Sequence, residues 1–312
     1  MSVLFLVDVQ HAAGRMTLAA LAVARELAPA IDVMVCGTDA QDAARALAGH
    51  TGVARVRVLD APHYAHGEEE NLSMVIAQFA GAYRHVVFAA DPFGRSLAPR
   101  VAAMLDVAPV TDVLEILDAE TFRRPLCAGA LIETVRCQER VKVLTAHPSS
   151  HAEAVVRAGS AAPVEKLAPG PDLGVRTLIS RSVEAPSGPA TLGAAQIVVA
   201  GGLGLGSAEA FRALLAPLAA RLGAALAATR AAVDAGFAPG AWQIGQSGRV
   251  VAPRLYIAVG LSGSRQHLAG MRSAGCVVAI NRDPDAPIVK LADYALIGDL
   301  HEQVPLFLKA LG

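Results

Sequence analysis

Apolar runs of strand length recur along the chain, separated by stretches with helical spacing. Val3 to Val9 is a near-continuous apolar run, followed by helix-spaced residues from Leu18 to Leu27 and a second run from Ile31 to Cys36. The alternation continues through a helix at Gln41 to Ala48, a strand at Val53 to Leu59, a helix at Glu69 to Tyr83 and a strand at His85 to Ala90. Unbroken apolar runs alternating with helical segments predict parallel strands covered on both faces, built from β-α-β units. After Asp91-Pro92-Phe93-Gly94 comes a helix around Arg95 to Leu105. Val110 to Leu117, Ala130 to Val135 and Val141 to Thr145 lie closer together and are expected as antiparallel additions at the sheet edge. A polar stretch with two prolines and a glycine, Arg181 to Pro189, marks a domain boundary, giving domains at 1–188 and 189–312. Beyond it the pattern restarts. Strands are predicted at Ile197 to Ala200, Ala224 to Ala228, Leu255 to Val259, Cys276 to Ile280 and Ala292 to Ile297, with helices at Glu209 to Leu222 and His301 to Leu311. The expected fold class is α/β: two doubly wound, mostly parallel-sheet domains, the C-terminal one Rossmann-like.

Composition sharpens this picture. The 312 residues are 54% hydrophobic and 18% charged, enough for two large cores and far from a disordered chain. Only 4% are aromatic, so Ala, Val and Leu do the packing. A formal net charge of −1 with no basic run argues against nucleic acid as a partner. The N-terminal run reads directly as a strand; it lacks a signal peptide's basic region and is too short to span a bilayer, so a cytoplasmic protein without membrane insertion is expected. Cys36, Cys127, Cys137 and Cys276 form no Cys-x-x-Cys pair and are read as reduced thiols without a metal.

The densest polar chemistry lies between Thr229 and Leu300. Gly245-Gln246-Ser247-Gly248 and Gly260-Leu261-Ser262-Gly263-Ser264-Arg265-Gln266-His267 flank the Leu255 to Val259 strand. A Gly/Ser loop between a strand and a helix offers backbone N–H groups and hydroxyls to a phosphate or pyrophosphate. Arg230 and Asn281 each stand just beyond a strand end, where open α/β sheets place ligands. Asp299 is read equally as a helix cap and as a partner for a ribose hydroxyl. Gly201-Gly202-Leu203-Gly204-Leu205-Gly206-Ser207 is a second strand–glycine–helix unit, but Ser207 replaces the third glycine of the dinucleotide pattern. Other constellations carry less. Gly260 to Ser264 nearly matches the hydrolase elbow, with no triad apparent. His63 and His66 beside Glu68 to Glu70 read as a solvated helix start, and His147-Pro148-Ser149-Ser150-His151 as a helix cap.

Thr229-Arg230-Ala231-Ala232-Val233-Asp234, the Gly-Gln-Ser-Gly run, Leu255 through Gly270 and Asn281-Arg282-Asp283-Pro284-Asp285-Ala286-Pro287-Ile288 follow one another in order. Together they resemble the C-terminal FAD domain of electron-transfer flavoprotein alpha subunits, several motifs over about 70 residues being far more specific than one. The resemblance extends more weakly through Gly94 to Val101 and so covers most of the chain. It implies FAD as cofactor. It places Ser247 at the flavin N5, and His267 near N1 and the C2 carbonyl as a donor or positive charge. Arg230 lies against the ring, and Gln246 and Gln266 bond ring or ribityl groups. Ser262, Gly263 and Ser264 bind the pyrophosphate, Asn281 and Asp299 reach the adenosine half, and Thr229, Arg265 and Leu300 complete the set. Leu203 stands where the family usually has Arg, which removes one cation contact. The resemblance further implies an electron carrier without substrate turnover of its own, a heterodimer with a beta subunit docked through the N-terminal domain, acyl-CoA or other dehydrogenases as electron donors, and a membrane quinone oxidoreductase as acceptor. The alternative reading is an NAD- or FAD-dependent oxidoreductase acting on a small substrate through the Gly201 loop; a further one is a scaffold with a vestigial nucleotide site.

Overall fold

In a computed structural model the apolar run at the N-terminus forms β1 (Val3–Asp8), and its side chains alternate between two separate cores. Val3, Phe5 and Val7 join one buried cluster and Leu4 and Leu6 the other. This is the two-residue period of a strand covered on both faces. The structure describes residues 2–12, 14–65, 69–127, 129, 131–147, 155–156, 160–180, 192–193 and 195–311. The chain divides into two compact units, Met1–Leu126 with Leu131–Ser182, and Cys127–Ala130 with Val183–Gly312. The break expected at 188/189 lies outside the described residues, as do His66, Glu68 and the Pro148 to His151 stretch.

In the first unit, β1 is followed by α1 (Arg15–Ala24), β2 (Ile31–Gly37), α2 (Gln41–Ala48), β3 (Val53–Asp60), α3 (Glu69–Ala80), β4 (His85–Ala89) and α4 (Pro92–Met104). Next come β5 (Pro109–Val113), β6 (Glu115–Ile116), β7 (Thr121–Leu126), β8 (Leu131–Arg136), β9 (Lys142–Ala146) and β10 (Val164–Lys166). Among the described residues seven strands make one parallel sheet in the order β10-β3-β2-β1-β4-β9-β5, while β6-β7-β8 form a separate antiparallel sheet. The antiparallel expectation therefore holds for the middle of this region only. The Val141 to Thr145 run enters the main sheet as a parallel strand, buried along its length. Within the Val110 to Leu117 run Asp112 takes a left-handed conformation, φ 55°, and its N–H bonds Thr145 Oγ1 at 2.7 Å, which bulges β5 against β9; the run divides at Leu114, whose N–H donates to Arg123 O and starts the pairing with β7.

The second unit repeats the logic on a smaller scale: β11 (Ile197–Gly201), α5 (Ala208–Leu222), β12 (Ala225–Ala228), α6 (Arg230–Asp234), β13 (Leu255–Val259), α7 (Arg265–Leu268), β14 (Cys276–Asn281), α8 (Pro287–Leu291), β15 (Tyr294–Ile297) and α9 (Leu300–Ala310). Its strands are all parallel, in the order β12-β11-β13-β14-β15. Counted within the unit this is 2-1-3-4-5, a doubly wound order whose direction reverses between β11 and β13. Ligands of open α/β sheets bind outside the carboxyl ends of the strands at that reversal. Again the strands feed two cores: Tyr256 and Ala258 face one, Ile257 and Val259 the other.

Candidate functional site

The carboxyl ends of β11 and β13 are the Gly201 and Gly260 loops, and they touch. Gly204 N–H donates to the Gly260 carbonyl at 2.9 Å. A Cβ on Gly204 would stand 2.6 Å from that same oxygen, so the contact requires glycine. Ser207 explains the broken dinucleotide pattern: it is the N-cap of α5, and its hydroxyl accepts from Ala210 N–H at 3.1 Å. Both loops border a single cavity of about 900 Å³ at the point of strand reversal. This is the upper end of the size range of small-molecule and cofactor sites.

Twelve of the thirteen residues singled out from sequence line this cavity: Thr229, Arg230, Gln246, Ser247, Ser262, Gly263, Ser264, Gln266, His267, Asn281, Asp299 and Leu300. Arg265 opens α7 with an exposed side chain and is not part of the lining. Thr229 caps α6, its hydroxyl accepting from Ala232 N–H at 3.2 Å. Arg230 is the first residue of that helix. Its contact with Asp234 spans 3.4 Å between side chains two-thirds exposed, a weak surface pair that leaves the guanidinium free to turn to a ligand. The Gln246-Ser247 turn is held by its backbone. Gly245 N–H donates to Arg249 O and Gln246 N–H to Gln266 O, and both side chains are exposed. Ser247 Oγ accepts from Gln243 Nε2 at 3.1 Å.

Past β13 the chain turns through Gly263 at φ 77°, where a Cβ would come within 2.5 Å of Ile288 N. Ser264 then caps α7. Among the described residues, none accepts from the backbone N–H groups of Ser262, Gly263 and Ser264. Three unclaimed donors in succession, with the Ser262 and Ser264 hydroxyls beside them, are the donor set an anionic diphosphate needs. Net charge is not what holds it there: Arg230 and Arg282 in the lining face Asp234, Asp283 and Asp299. Asn281 works on the loop itself, donating to Leu261 O at 2.8 Å and accepting from Asp283 N–H at 3.1 Å. Asp299 caps α9 by accepting from His301 N–H at 2.7 Å through one oxygen, Oδ1. Leu300 is buried beneath the Gly260 turn.

The comparisons with known proteins agree with this geometry. The model of the electron transfer flavoprotein FAD-binding domain matches residues 191–272, and that of the electron transfer flavoprotein domain matches residues 3–172. The chain belongs to the electron-transfer flavoprotein alpha-subunit family. It is 42% identical to the electron transfer flavoprotein subunit alpha of Pseudomonas aeruginosa, over all of both chains. It is 44% identical to that of Paracoccus denitrificans, over 98% of each. The mitochondrial alpha subunit of Oryza sativa subsp. indica is 42% identical over 86% of this chain and 77% of its own. Residues 191–272 are thus the FAD-binding domain of an electron-transfer flavoprotein alpha subunit, and the cofactor is FAD. The cavity fits it: both glycine loops border the one space, with the unclaimed N–H groups at its Ser262 to Ser264 side.

His267 lies in the wall of the cavity. The side chain is buried, with Nε2 2.8 Å from the Tyr256 hydroxyl and Nδ1 3.2 Å from the Ile244 carbonyl oxygen. Burial lowers its pKa to about 4, against the opposing pull of the Ile244 carbonyl. The ring is therefore uncharged at neutral pH, and its two nitrogens are spent on the protein. Among the described residues the His267 ring bonds neither a serine hydroxyl nor a carboxylate, so the Gly260 to Ser264 turn is given no triad by it. Reading the sequence alone left out Leu203, Gly204, Gln243, Arg282, Gly298 and His301, all of which line the cavity. The signal was adjacency: Arg282 follows Asn281, and Gly298 and His301 bracket Asp299. Among the described residues no helix is long and apolar enough to cross a membrane.

Proposed function

We propose that the chain is the FAD-carrying half of a cytoplasmic heterodimer with an electron-transfer flavoprotein beta subunit, and that it relays electrons without turning over a substrate of its own. Acyl-CoA or other dehydrogenases supply the electrons and a membrane quinone oxidoreductase receives them. The observation that carries this reading is the cavity at the β11/β13 reversal. It presents unclaimed backbone donors for a diphosphate, and the imidazole in its wall is neutral and already bonded on both nitrogens. Such a site binds and orients a cofactor that carries the redox chemistry itself.

FAD supplies the one- and two-electron chemistry. The protein's part is to hold and tune it. Ser262, Gly263 and Ser264 receive the diphosphate. Gln246 and Ser247 present an amide and a hydroxyl from a turn whose backbone is fixed, and Arg230 brings a cation able to favour added negative charge. Asn281 keeps the Leu261 carbonyl, and so the diphosphate turn, in place. The remaining oxygen of Asp299 is available to a ribose hydroxyl. The first unit serves as the docking surface for the beta subunit.

Co-expression with the beta subunit provides the test. The pair is expected to co-purify, to retain FAD better than the single chain, to be reduced by a dehydrogenase with its substrate, and to pass those electrons to a quinone reductase. Turnover of a small substrate by the chain alone, with equal FAD retention and no association, would favour the oxidoreductase reading.

A further inference from the structure

At the amino end of the first parallel sheet, Ser2 precedes β1, Arg84 precedes β4 and Lys142 opens β9. With Glu120, Glu139 and Arg140 they border a cavity of about 410 Å³ that lies wholly within the first unit. Lys142 is only 2% exposed, and a buried ammonium is costly unless its donors are met. Among the described residues its Nζ makes one hydrogen bond, to the Glu139 carbonyl at 2.6 Å. The Glu120 carboxylate stands 3.9 Å away, beyond hydrogen-bond length, with Oε1 accepting from Arg84 Nη2 at 3.1 Å and Oε2 from Arg136 Nη2 at 3.4 Å. An ammonium carries three donors, so most of its capacity is left for another acceptor. Arg140 Nη1 donates to the Gly81 carbonyl at 3.0 Å, and the rest of its guanidinium has no acceptor among the described residues. The backbone N–H groups of Gln138, Glu139 and Arg140, consecutive in the lining, have none there either. We infer that this cavity binds a small phosphate-type oxyanion, held by the Lys142 ammonium, the Arg140 guanidinium and the N–H groups of the Gln138 to Arg140 turn.

Charge selects the ligand's sign. Arg84, Arg140 and Lys142 in the lining outnumber Glu120 and Glu139, and Arg136 draws on Glu120 as well. His85, paired in register with Lys142, records the same field. Its pKa is lowered by burial first, against the opposing bond to the Ala119 carbonyl, and then further by Lys142 and Arg84. Donor number selects the ligand's shape. A buried ammonium, a planar guanidinium and a run of backbone N–H groups offer more donors than one carboxylate can accept, whereas a tetrahedral oxyanion presents oxygens in several directions. The Glu139 carboxylate opposes binding, which favours a weak, exchangeable anion over a tightly held one. No residue is shared with the FAD cavity, so the site goes beyond the electron-carrier reading and does not depend on it.

Calorimetric titration of inorganic phosphate into the FAD-loaded full chain, at ionic strength held constant with chloride, tests the site. Saturable binding of one phosphate per chain is expected, with acetate binding far more weakly. Arg140→Gln should weaken phosphate binding roughly tenfold, the effect of losing one charge-assisted hydrogen bond, and leave FAD content unchanged. Lys142→Met should abolish it. Should that buried substitution prevent folding, the wild-type titration and the exposed Arg140→Gln still decide. Glycerol phosphate as a second titrant separates the sources: binding as tight as phosphate assigns the site to phosphate esters, and weaker binding assigns it to the free ion. Absence of saturable phosphate binding in wild type overturns the inference and leaves a salt-bridge cluster that serves the fold alone. Binding that Arg140→Gln leaves intact also overturns it, since phosphate on the Ser262 to Ser264 turn would be indifferent to Arg140. Equal binding of acetate would overturn the assignment to a phosphate-type ion.

Discussion

A histidine that is neutral at pH 7 because it is buried makes the fold itself sensitive to acid. The pKa of His267 in the folded chain is lowered from 6.5 to about 4. The unfolded chain therefore binds the proton first. The stabilising contribution is fully present above pH 6.5 and is lost as the pH falls toward 4, amounting to about 3 kcal/mol at the acid end. His267→Gln should thus flatten the decline of Tm between pH 6.5 and 4, measured by thermal unfolding at half-unit steps; an unchanged slope would mean that the imidazole is already charged in the fold. The second residue-level consequence lies at Leu203, an exposed leucine bordering a cavity whose arginines are outnumbered by aspartates. Leu203→Arg should add one charge-assisted hydrogen bond to the diphosphate and slow FAD release roughly tenfold. Recovery of flavin fluorescence after dilution measures that rate, and no change would place the diphosphate away from the Gly201 loop.

At the scale of elements, the Gly201 loop shows how a phosphate-binding outline is put to another use. Gly204 packs against the Gly260 carbonyl, and Ser207 closes the end of α5. Ser207→Ala should cost about 1 kcal/mol of stability, Ser207→Gly only a few tenths, with FAD affinity unchanged in both. A large loss of FAD affinity in the glycine variant would assign Ser207 to the ligand instead. The elements were legible in the sequence to the extent that local pattern specifies them. Uninterrupted apolar runs gave β1 to β4 and the five strands of the second sheet, and helices of eight or more residues showed their period; β5 and β9 were expected as antiparallel, and the three-residue β10 was not seen at all. α6, α7 and α8, at five, four and five residues, are too short to display a 3.6-residue period; the helix beyond the Gly260 loop was expected from its Gly/Ser turn, while the one capped by Thr229 was not. β7 was missed because Arg123, Arg124 and Pro125 interrupt its apolar character. The pairing of the His267 ring with Tyr256 and Ile244 was beyond reach for a different reason: these partners stand 11 and 23 residues away in sequence, and only the fold brings them together.

For the molecule as a whole, a doubly wound sheet explains why twelve residues scattered over more than seventy positions border one cavity: each follows the carboxyl end of a parallel strand or the turn packed against it. Strand alternation fixed the fold class in advance. The strand order did not follow from alternation, since it depends on which side each crossover helix takes; with it came the reversal between β11 and β13 that locates the site. The central claim is that this cavity holds FAD, with the diphosphate on the Ser262 to Ser264 turn. The most direct measurement denatures the purified heterodimer, identifies the released flavin by chromatography and counts it against the alpha chain, in wild type and in Gly263→Ala. That substitution forces a Cβ into a left-handed turn against Ile288. The expected result is FAD at one equivalent per alpha chain in wild type and a marked loss in Gly263→Ala protein that remains folded. FMN, no flavin under any reconstitution, or full FAD occupancy in the variant would contradict the account.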